Sequence, residues 1–192
     1  MSKIVVEIEF SELDSFDFPQ AEHPYVVRDI LKKSSLKHLS LENLVSLKGT
    51  ELVNFKIGFK RKYHDEKDCL YLDGTLKDLI NWSQGKLPSS FQSLNRNDFW
   101  VYADYKNFCE LFPKNTYPEI HEQNDWSFIG YPDKRMDDTT IWIGTSGAYT
   151  PLHFDSYGIN FHTVISGSKN WTLFPPEDSK YLYPKRIPYE ES

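Results

Sequence analysis

The chain has 192 residues, which suits a single domain with a substantial apolar core. Its net charge is −6, from 22 Lys and Arg against 28 Asp and Glu, so a broad basic surface for nucleic acid is not expected. No stretch approaches the 18 apolar residues of a membrane span, and the first residues lack the apolar run of a signal peptide.

The two cysteines, Cys69 and Cys109, lie forty positions apart and lack the spacing of a metal-binding pair. Unpaired thiols are typical of reducing compartments. We therefore expect a reduced intracellular protein, in the cytoplasm and with the nucleus as a second option.

The front half of the sequence predicts a mixture of strands and helices. Ser40 is a suitable N-cap and Gly49 a suitable stop for a helix at Leu41–Lys48. Thr75 begins a second helix that ends at Gly85, with an apolar stripe of Leu76, Leu79, Ile80 and Trp82. Strands are predicted at 25–27, 55–59 and 99–102, a loop at 83–97, a solvated basic turn at 60–62 and a short helix at 106–112.

The sequence from Thr140 onward predicts a succession of strands. The first covers 141–143, and the second carries His153. Segments 159–165 and 170–174 are predicted to form a hairpin through 166–168. Alternating aromatics such as Trp142 and Trp171 are expected in the core.

The chemistry of the chain is concentrated around His153 and Asp155. An imidazole and a carboxylate two residues apart point to the same face of a strand. They supply two of the three ligands of the facial triad that holds non-haem Fe(II). Asn160 and Lys169 are placed on the two arms of the hairpin, and with Thr150 and a nearby tyrosine they would suit a dicarboxylate.

These residues resemble the motifs of JmjC-type Fe(II)/2-oxoglutarate oxygenases. The branches most similar are the small heat-shock protein-associated JmjC proteins and the asparaginyl hydroxylases that include factor inhibiting hypoxia-inducible factor. The resemblance implies a mainly β (α+β) fold, a cupin-like jelly roll or double-stranded β-helix with flanking helices. It assigns 1–22 to an N-terminal extension and 23–192 to one domain, incomplete at its C-terminus. The matching motifs are Thr150-Pro151-Leu152-His153-Phe154-Asp155, Asn160, Gly167-Ser168-Lys169 and Leu173-Phe174-Pro175-Pro176.

The resemblance also implies a role for each residue of the site. His153 and Asp155 would be the Fe(II) ligands, and Thr150, Asn160 and Lys169 would hold 2-oxoglutarate. Tyr102 is the first choice for the pocket tyrosine, and Tyr105 is the second. The reaction would hydroxylate or demethylate a protein side chain, and a small heat-shock protein is one implied partner.

The sequence departs from the family pattern in its histidines. The family places a second iron histidine on a late strand, but no histidine follows His162 in this chain. The iron triad and the barrel are therefore expected to be incomplete, as in a piece of a longer enzyme, with weak Fe(II) binding and little turnover. His162 is a candidate substitute ligand, although a pocket-lining role is favoured. The remaining histidines are expected at the surface: His23, His38, His64 and His121.

Three functions remain open at this point. The first is an Fe(II)/2-oxoglutarate oxygenase acting on a protein, the second a non-catalytic JmjC-like module that binds a partner. The third is a cupin that binds a sugar or small ligand around a structural metal. Thr150, Asn160 and Lys169 favour the first over the third, because a generic cupin does not need a receptor for a dicarboxylate.

Overall fold

The structure, a computed structural model, describes residues 5–15, 23–32, 34–62, 69–123, 125–155 and 158–185. His64 and the motif residues at 156–157 and 186–192 lie outside this part. The chain divides into two compact units, Met1–Pro151 and Leu152–Ser192.

The first unit carries all the strands of the described residues. They are β1 (Val6–Ile8), β2 (Tyr25–Val27), β3 (Leu52–Phe59), β4 (Leu70–Thr75), β5 (Phe99–Asn107), β6 (Asp125–Trp126), β7 (Tyr131–Arg135) and β8 (Thr140–Gly144). Its α-helices are α1 (Leu41–Lys48), α2 (Leu76–Ser83), α3 (Phe108–Leu111) and α4 (Pro118–Gln123). The mainly β architecture with flanking helices that the sequence predicted is confirmed.

The central sheet has four antiparallel strands in the order β4-β3-β5-β8. Strand alternation gives it an apolar face, where Ile57 pairs with Val101 and Ala103 pairs with Ile143. Two small pairs complete the unit, parallel β1-β2 and antiparallel β6-β7. The strand predicted at 25–27 is confirmed, and those at 55–59, 99–102 and 141–143 are confirmed as parts of longer strands.

The opposite face of the sheet is chemically mixed, and its centre is buried. Lys56 pairs with Tyr102, and Tyr102 pairs with Gly144 on its other side. A Cβ at Gly144 would lie 2.8 Å from the Tyr102 ring, so the glycine makes room for that side chain. The Lys56 side chain is only 1% exposed, and its Nζ lies 3.0 Å from Asp104 Oδ2. This face therefore brings a tyrosine and an ion pair into one buried layer.

The helix ends follow the capping residues of the sequence. The Ser40 hydroxyl accepts from the Asn43 amide at the start of α1, and Thr75 forms a capping box with Asp78 at the start of α2. Gly85 follows α2 in the left-handed region, at φ +90°, so both predicted helices are confirmed. Gly49 differs from the expectation, because it is a right-handed C-cap at φ −64°.

Three local predictions in the first unit have different outcomes. The helix predicted at 106–112 begins only at Phe108, because Lys106 and Asn107 still pair with β8. His121 was predicted at the surface and is 6% exposed, because its ring packs edge-on against Phe108. The basic turn at 60–62 is exposed as expected.

The second unit corrects the prediction of further strands. Residues 152–155 and 158–185 contain a 3₁₀ turn at Pro176–Asp178 and the short helix α5 (Ser179–Leu182), and within this described part no strand forms. The predicted His153 strand and the hairpin of 159–165 with 170–174 are therefore absent here. A two-stranded hairpin is only marginally stable in water without further strands to pack on. Trp171, predicted in the core, is 51% exposed, and Trp142 in the first unit is half-buried.

The part of the chain that the structure describes contains no helix with the length and apolar character needed to cross a bilayer.

Candidate functional site

His153 and Asp155 meet in the second unit. Their Nε2 and Oδ1 atoms lie 3.3 Å apart, and the side chains are 48% and 35% exposed. Two donors that share one octahedral ion lie about 3.0 Å apart when each bond is about 2.1 Å. The pair therefore has nearly the separation of adjacent ligands of one metal ion, and both side chains are open to solvent.

Asn160 orients the carboxylate of this pair. Its Nδ2 donates a hydrogen bond of 3.1 Å to Asp155 Oδ2, which leaves Oδ1 on the side of His153. Such an outer partner fixes the direction of a ligating carboxylate. The structure thus brings Asn160 to the predicted metal ligands, whereas the family pattern places it at 2-oxoglutarate.

No third donor joins the pair within the described residues. Among the described residues, three histidine, cysteine or carboxylate groups meet around one point only in the first unit. His162 contacts Trp171 instead, with ring centroids 5.0 Å apart at 74°. Burial, and then the charge of Lys169, lower the pKa of His162 to about 4, although part of its side chain is exposed. The ring is therefore neutral at physiological pH.

Lys169 lies beside the same indole. Its Nζ is 4.7 Å from the centroid of the Trp171 ring, within cation–π distance. The side chain is half-buried, and burial lowers the pKa of its ammonium group. His162, Lys169 and Trp171 form a second cluster in this unit. Sequence reasoning had assigned Trp171 to the core and missed this contact.

Thr150 and Tyr102 form a polar group in the first unit. The Thr150 hydroxyl is buried and, within the described residues, has no hydrogen-bond partner of proper geometry. The Tyr102 hydroxyl interacts with Thr150, which lowers the pKa of Tyr102, but the contact lacks the geometry of a full hydrogen bond. Burial is the larger effect and raises that pKa, so Tyr102 stays a protonated donor.

A second unsatisfied donor lies close to this group. Trp100 Nε1 is also buried without a partner within the described part of the chain, and its ring is 6.5 Å from that of Tyr102. Buried polar groups are almost always hydrogen-bonded, so two exceptions around one tyrosine call for an explanation. Donors of this kind can receive an anionic or polar ligand. The side chain of Tyr105, the alternative tyrosine, is outside the described part.

The buried ion pair of Lys56 and Asp104 adjoins this group and was missed from the sequence. Both charges act on the Tyr102 hydroxyl: Asp104 raises its pKa and Lys56 lowers it. The sequence feature that could have predicted this pair is Lys56 itself. It lies in the middle of the apolar strand 55–59, where an unpaired buried charge would be costly.

Comparison with known proteins places the chain in a family. Residues 17–192 match the model of the Cupin-like domain. HSPB1-associated protein 1 of Homo sapiens is 38% identical over 161 residues, which cover 81% of this chain and 33% of that protein. The protein of Rattus norvegicus gives the same figures. Lysine-specific demethylase 8 of Danio rerio is 30% identical over 196 residues, covering 95% of this chain and 43% of that protein.

The chain therefore spans about a third of the length of the first of these relatives. No solved structure gives a significant match. The family match extends over almost the whole chain, and it agrees with the mainly β fold. The chain belongs to the cupin-like family of JmjC proteins.

Proposed function

We propose that this chain carries part of the active site of an Fe(II)- and 2-oxoglutarate-dependent dioxygenase that hydroxylates or demethylates a protein side chain. The observation that supports this most strongly is the convergence of His153 Nε2 and Asp155 Oδ1 at 3.3 Å. The family match adds weight, because the relatives include a protein named as a lysine-specific demethylase.

His153 and Asp155 would hold the ion on adjacent positions, with Asn160 keeping the carboxylate turned toward it. When bound, Fe(II) with 2-oxoglutarate and O₂ supplies the oxidation that converts a substrate C–H bond to C–OH, with release of succinate and CO₂. The exposed edges of His153 and Asp155 would leave the remaining positions open to the co-substrate.

Thr150 and Tyr102 would bind one carboxylate of 2-oxoglutarate. Their hydroxyls are donors, and a buried carboxylate would accept from the Thr150 hydroxyl, which makes no well-formed hydrogen bond within the described residues. The family motif assigns the counter-charge to Lys169. These assignments follow the family motif residue by residue.

Anaerobic titration of the chain with Fe(II) and 2-oxoglutarate tests the proposal, followed by the visible charge-transfer absorption of the chelate. We expect weak binding, since the pair supplies two protein ligands. His153→Ala should weaken it by roughly tenfold or more, because even outer-ligand changes cost 10- to 100-fold. His38→Ala is the matched control, since His38 is an exposed histidine in the first unit. Equal absorption in both variants would remove the iron assignment.

A binding module is the second candidate function. The second unit exposes large apolar side chains, including Phe154 (84%), Leu173 (57%) and Trp171 (51%). Exposed apolar groups of this size commonly mark a surface for a protein partner. HSPB1-associated protein 1 is named for such an association, so a small heat-shock protein is the partner to test. Binding of that partner unchanged by His153→Ala, together with no succinate release, would favour this alternative.

A further inference from the structure

Three potential metal ligands meet in the first unit, apart from the candidate site described above. Cys109 lies in α3, His121 in α4 and Asp137 in the 3₁₀ turn Met136–Asp138. One ligand atom of each lies within 4.8 Å of the other two. Cys109 Sγ is 2.9 Å from Asp137 Oδ1, and His121 Nδ1 is 3.8 Å from the same oxygen.

The His121 ring is held in a fixed orientation. It is 6% exposed, and its Nε2 lies 2.6 Å from the Phe112 carbonyl oxygen. A carbonyl oxygen only accepts, so Nε2 carries the proton, and in the neutral ring Nδ1 presents its lone pair. Donation of the distal N–H to a backbone carbonyl is the usual second contact of a metal-binding histidine. Phe108 supports the ring edge-on at 5.7 Å.

The other two ligands are held by backbone and side-chain contacts of the same region. Asn107 Oδ1 accepts from the Cys109 amide at 3.0 Å, which fixes the first turn of α3. The Phe108 amide donates to the Thr139 carbonyl at 2.9 Å, which ties α3 to the turn that carries Asp137. Met136 is fully buried beside it. Three separate elements are therefore joined closely enough to present their ligands together.

A divalent ion between His121 and Asp137 would be attracted to both side chains. With the Nε2 tautomer, the Nδ1 lone pair and the Asp137 carboxylate are two acceptors that face each other at 3.8 Å. Burial, and then the hydrogen bond to Asp137, raise the pKa of the Cys109 thiol to about 11.

We propose that Cys109, His121 and Asp137 form a binding site for a zinc-class divalent ion, with solvent as the fourth ligand. Zinc takes sulfur, nitrogen and oxygen ligands in tetrahedral geometry. With its usual bond lengths, sulfur and oxygen would be about 3.6 Å apart and nitrogen and oxygen about 3.4 Å apart. The Cys109 to Asp137 distance would open by about 0.7 Å and the His121 to Asp137 distance would close by about 0.4 Å.

The charges balance on binding. The thiol of Cys109 releases one proton to solvent, and the resulting thiolate and the Asp137 carboxylate neutralise the two positive charges of the ion. The thiolate selects a zinc-class ion over calcium or magnesium, which prefer oxygen ligands. The exposed side of Asp137 (64%) leaves room for the solvent ligand. This site does not depend on the dioxygenase proposed above.

Cobalt titration of the metal-free chain, under reducing conditions, tests the site. Co²⁺ bound to a thiolate gives a charge-transfer band in the near ultraviolet, and intense visible bands report four-coordination. We expect one equivalent of Co²⁺ per chain with both signals, displaced by one equivalent of Zn²⁺. Cys109→Ser should abolish the charge-transfer band, and Asp137→Asn should weaken binding by roughly tenfold or more.

Cys69→Ser is the matched control, because it removes the other thiol and should leave both signals intact. Thermal unfolding of the metal-free variants shows whether each variant is folded, and Zn²⁺ should raise the midpoint of the parent chain but not that of Cys109→Ser. Three results would overturn the proposal: no charge-transfer band in the parent chain, a band that survives Cys109→Ser, or a band that Cys69→Ser removes. Any of them would leave a hydrogen-bonded cluster only.

Discussion

Thr150→Val separates the stability of the chain from its proposed binding of 2-oxoglutarate. Valine has almost the shape of threonine but replaces the hydroxyl with a methyl group. The Thr150 hydroxyl is buried and, among the described residues, makes no hydrogen bond of proper geometry, only a weaker contact with Tyr102. A buried hydroxyl in that state costs about 1–3 kcal/mol in proteins. We take the lower end, since the residue as a whole is only half-buried.

The free energy of unfolding should therefore rise by about 1 kcal/mol in Thr150→Val, which corresponds to about 2–4 °C in the melting midpoint for a chain of this length. Binding of 2-oxoglutarate should change in the opposite direction. A hydrogen bond to a charged group contributes about 1.5–3 kcal/mol, so the Kd should increase by about 10- to 150-fold. Urea unfolding measures the first effect, and calorimetric titration with 2-oxoglutarate in the presence of Mn²⁺ measures the second.

Thr145→Val is the matched control for this prediction. The Thr145 hydroxyl accepts from the Val101 amide at 2.9 Å and donates to the Val101 carbonyl at 3.3 Å. Its loss should destabilise the chain by about 1–3 kcal/mol, because a partly buried amide is left without its acceptor. If Thr150→Val also destabilises the chain, its hydroxyl makes a real hydrogen bond with Tyr102 and the reasoning is wrong. Unchanged affinity for 2-oxoglutarate would refute the binding role.

Two further predictions concern buried and clustered charges. Lys56→Met should lower the free energy of unfolding by about 3–5 kcal/mol in urea, because Asp104, which is 14% exposed, would keep an uncompensated charge. The His162 ring should titrate in NMR spectra well below 6.5, since burial and then Lys169 lower its pKa to about 4. In the unfolded chain the His162 ring takes up a proton near pH 6.5, whereas in the folded chain it does so only near pH 4. The free energy of unfolding should therefore fall as the pH is lowered from about 6.5 toward 4.

The Lys56→Met and His162 predictions each have a control. Adding Asp104→Leu to Lys56→Met should recover much of the lost stability, since well-packed apolar pairs replace buried ion pairs at little cost; no recovery would mean that packing, not charge, sets the effect. Lys169→Ala should raise the His162 pKa only in part, because burial is the larger cause. A midpoint near 6.5 in the unaltered chain would show that the ring is solvated.

Local patterns in the sequence determined much of this protein. Ser40 and Thr75 fixed the starts of two helices, because a cap needs only its own side chain and the next turn. The strands at 25–27, 55–59, 99–102 and 141–143 were predicted from their apolar alternation. His153 and Asp155 were expected to converge because they are two residues apart, and they do, although without the predicted strand.

The tertiary structure decided what depends on distant partners. A strand exists only where another strand accepts its hydrogen bonds, so the pattern at 159–174 predicted strands that the second unit does not form. Cys109, His121 and Asp137 are far apart in sequence, and His121 gave no signal that it is buried. Only the packing of three elements brings their ligand atoms within 4.8 Å, because such a meeting depends on the path of the whole chain and not on any local spacing.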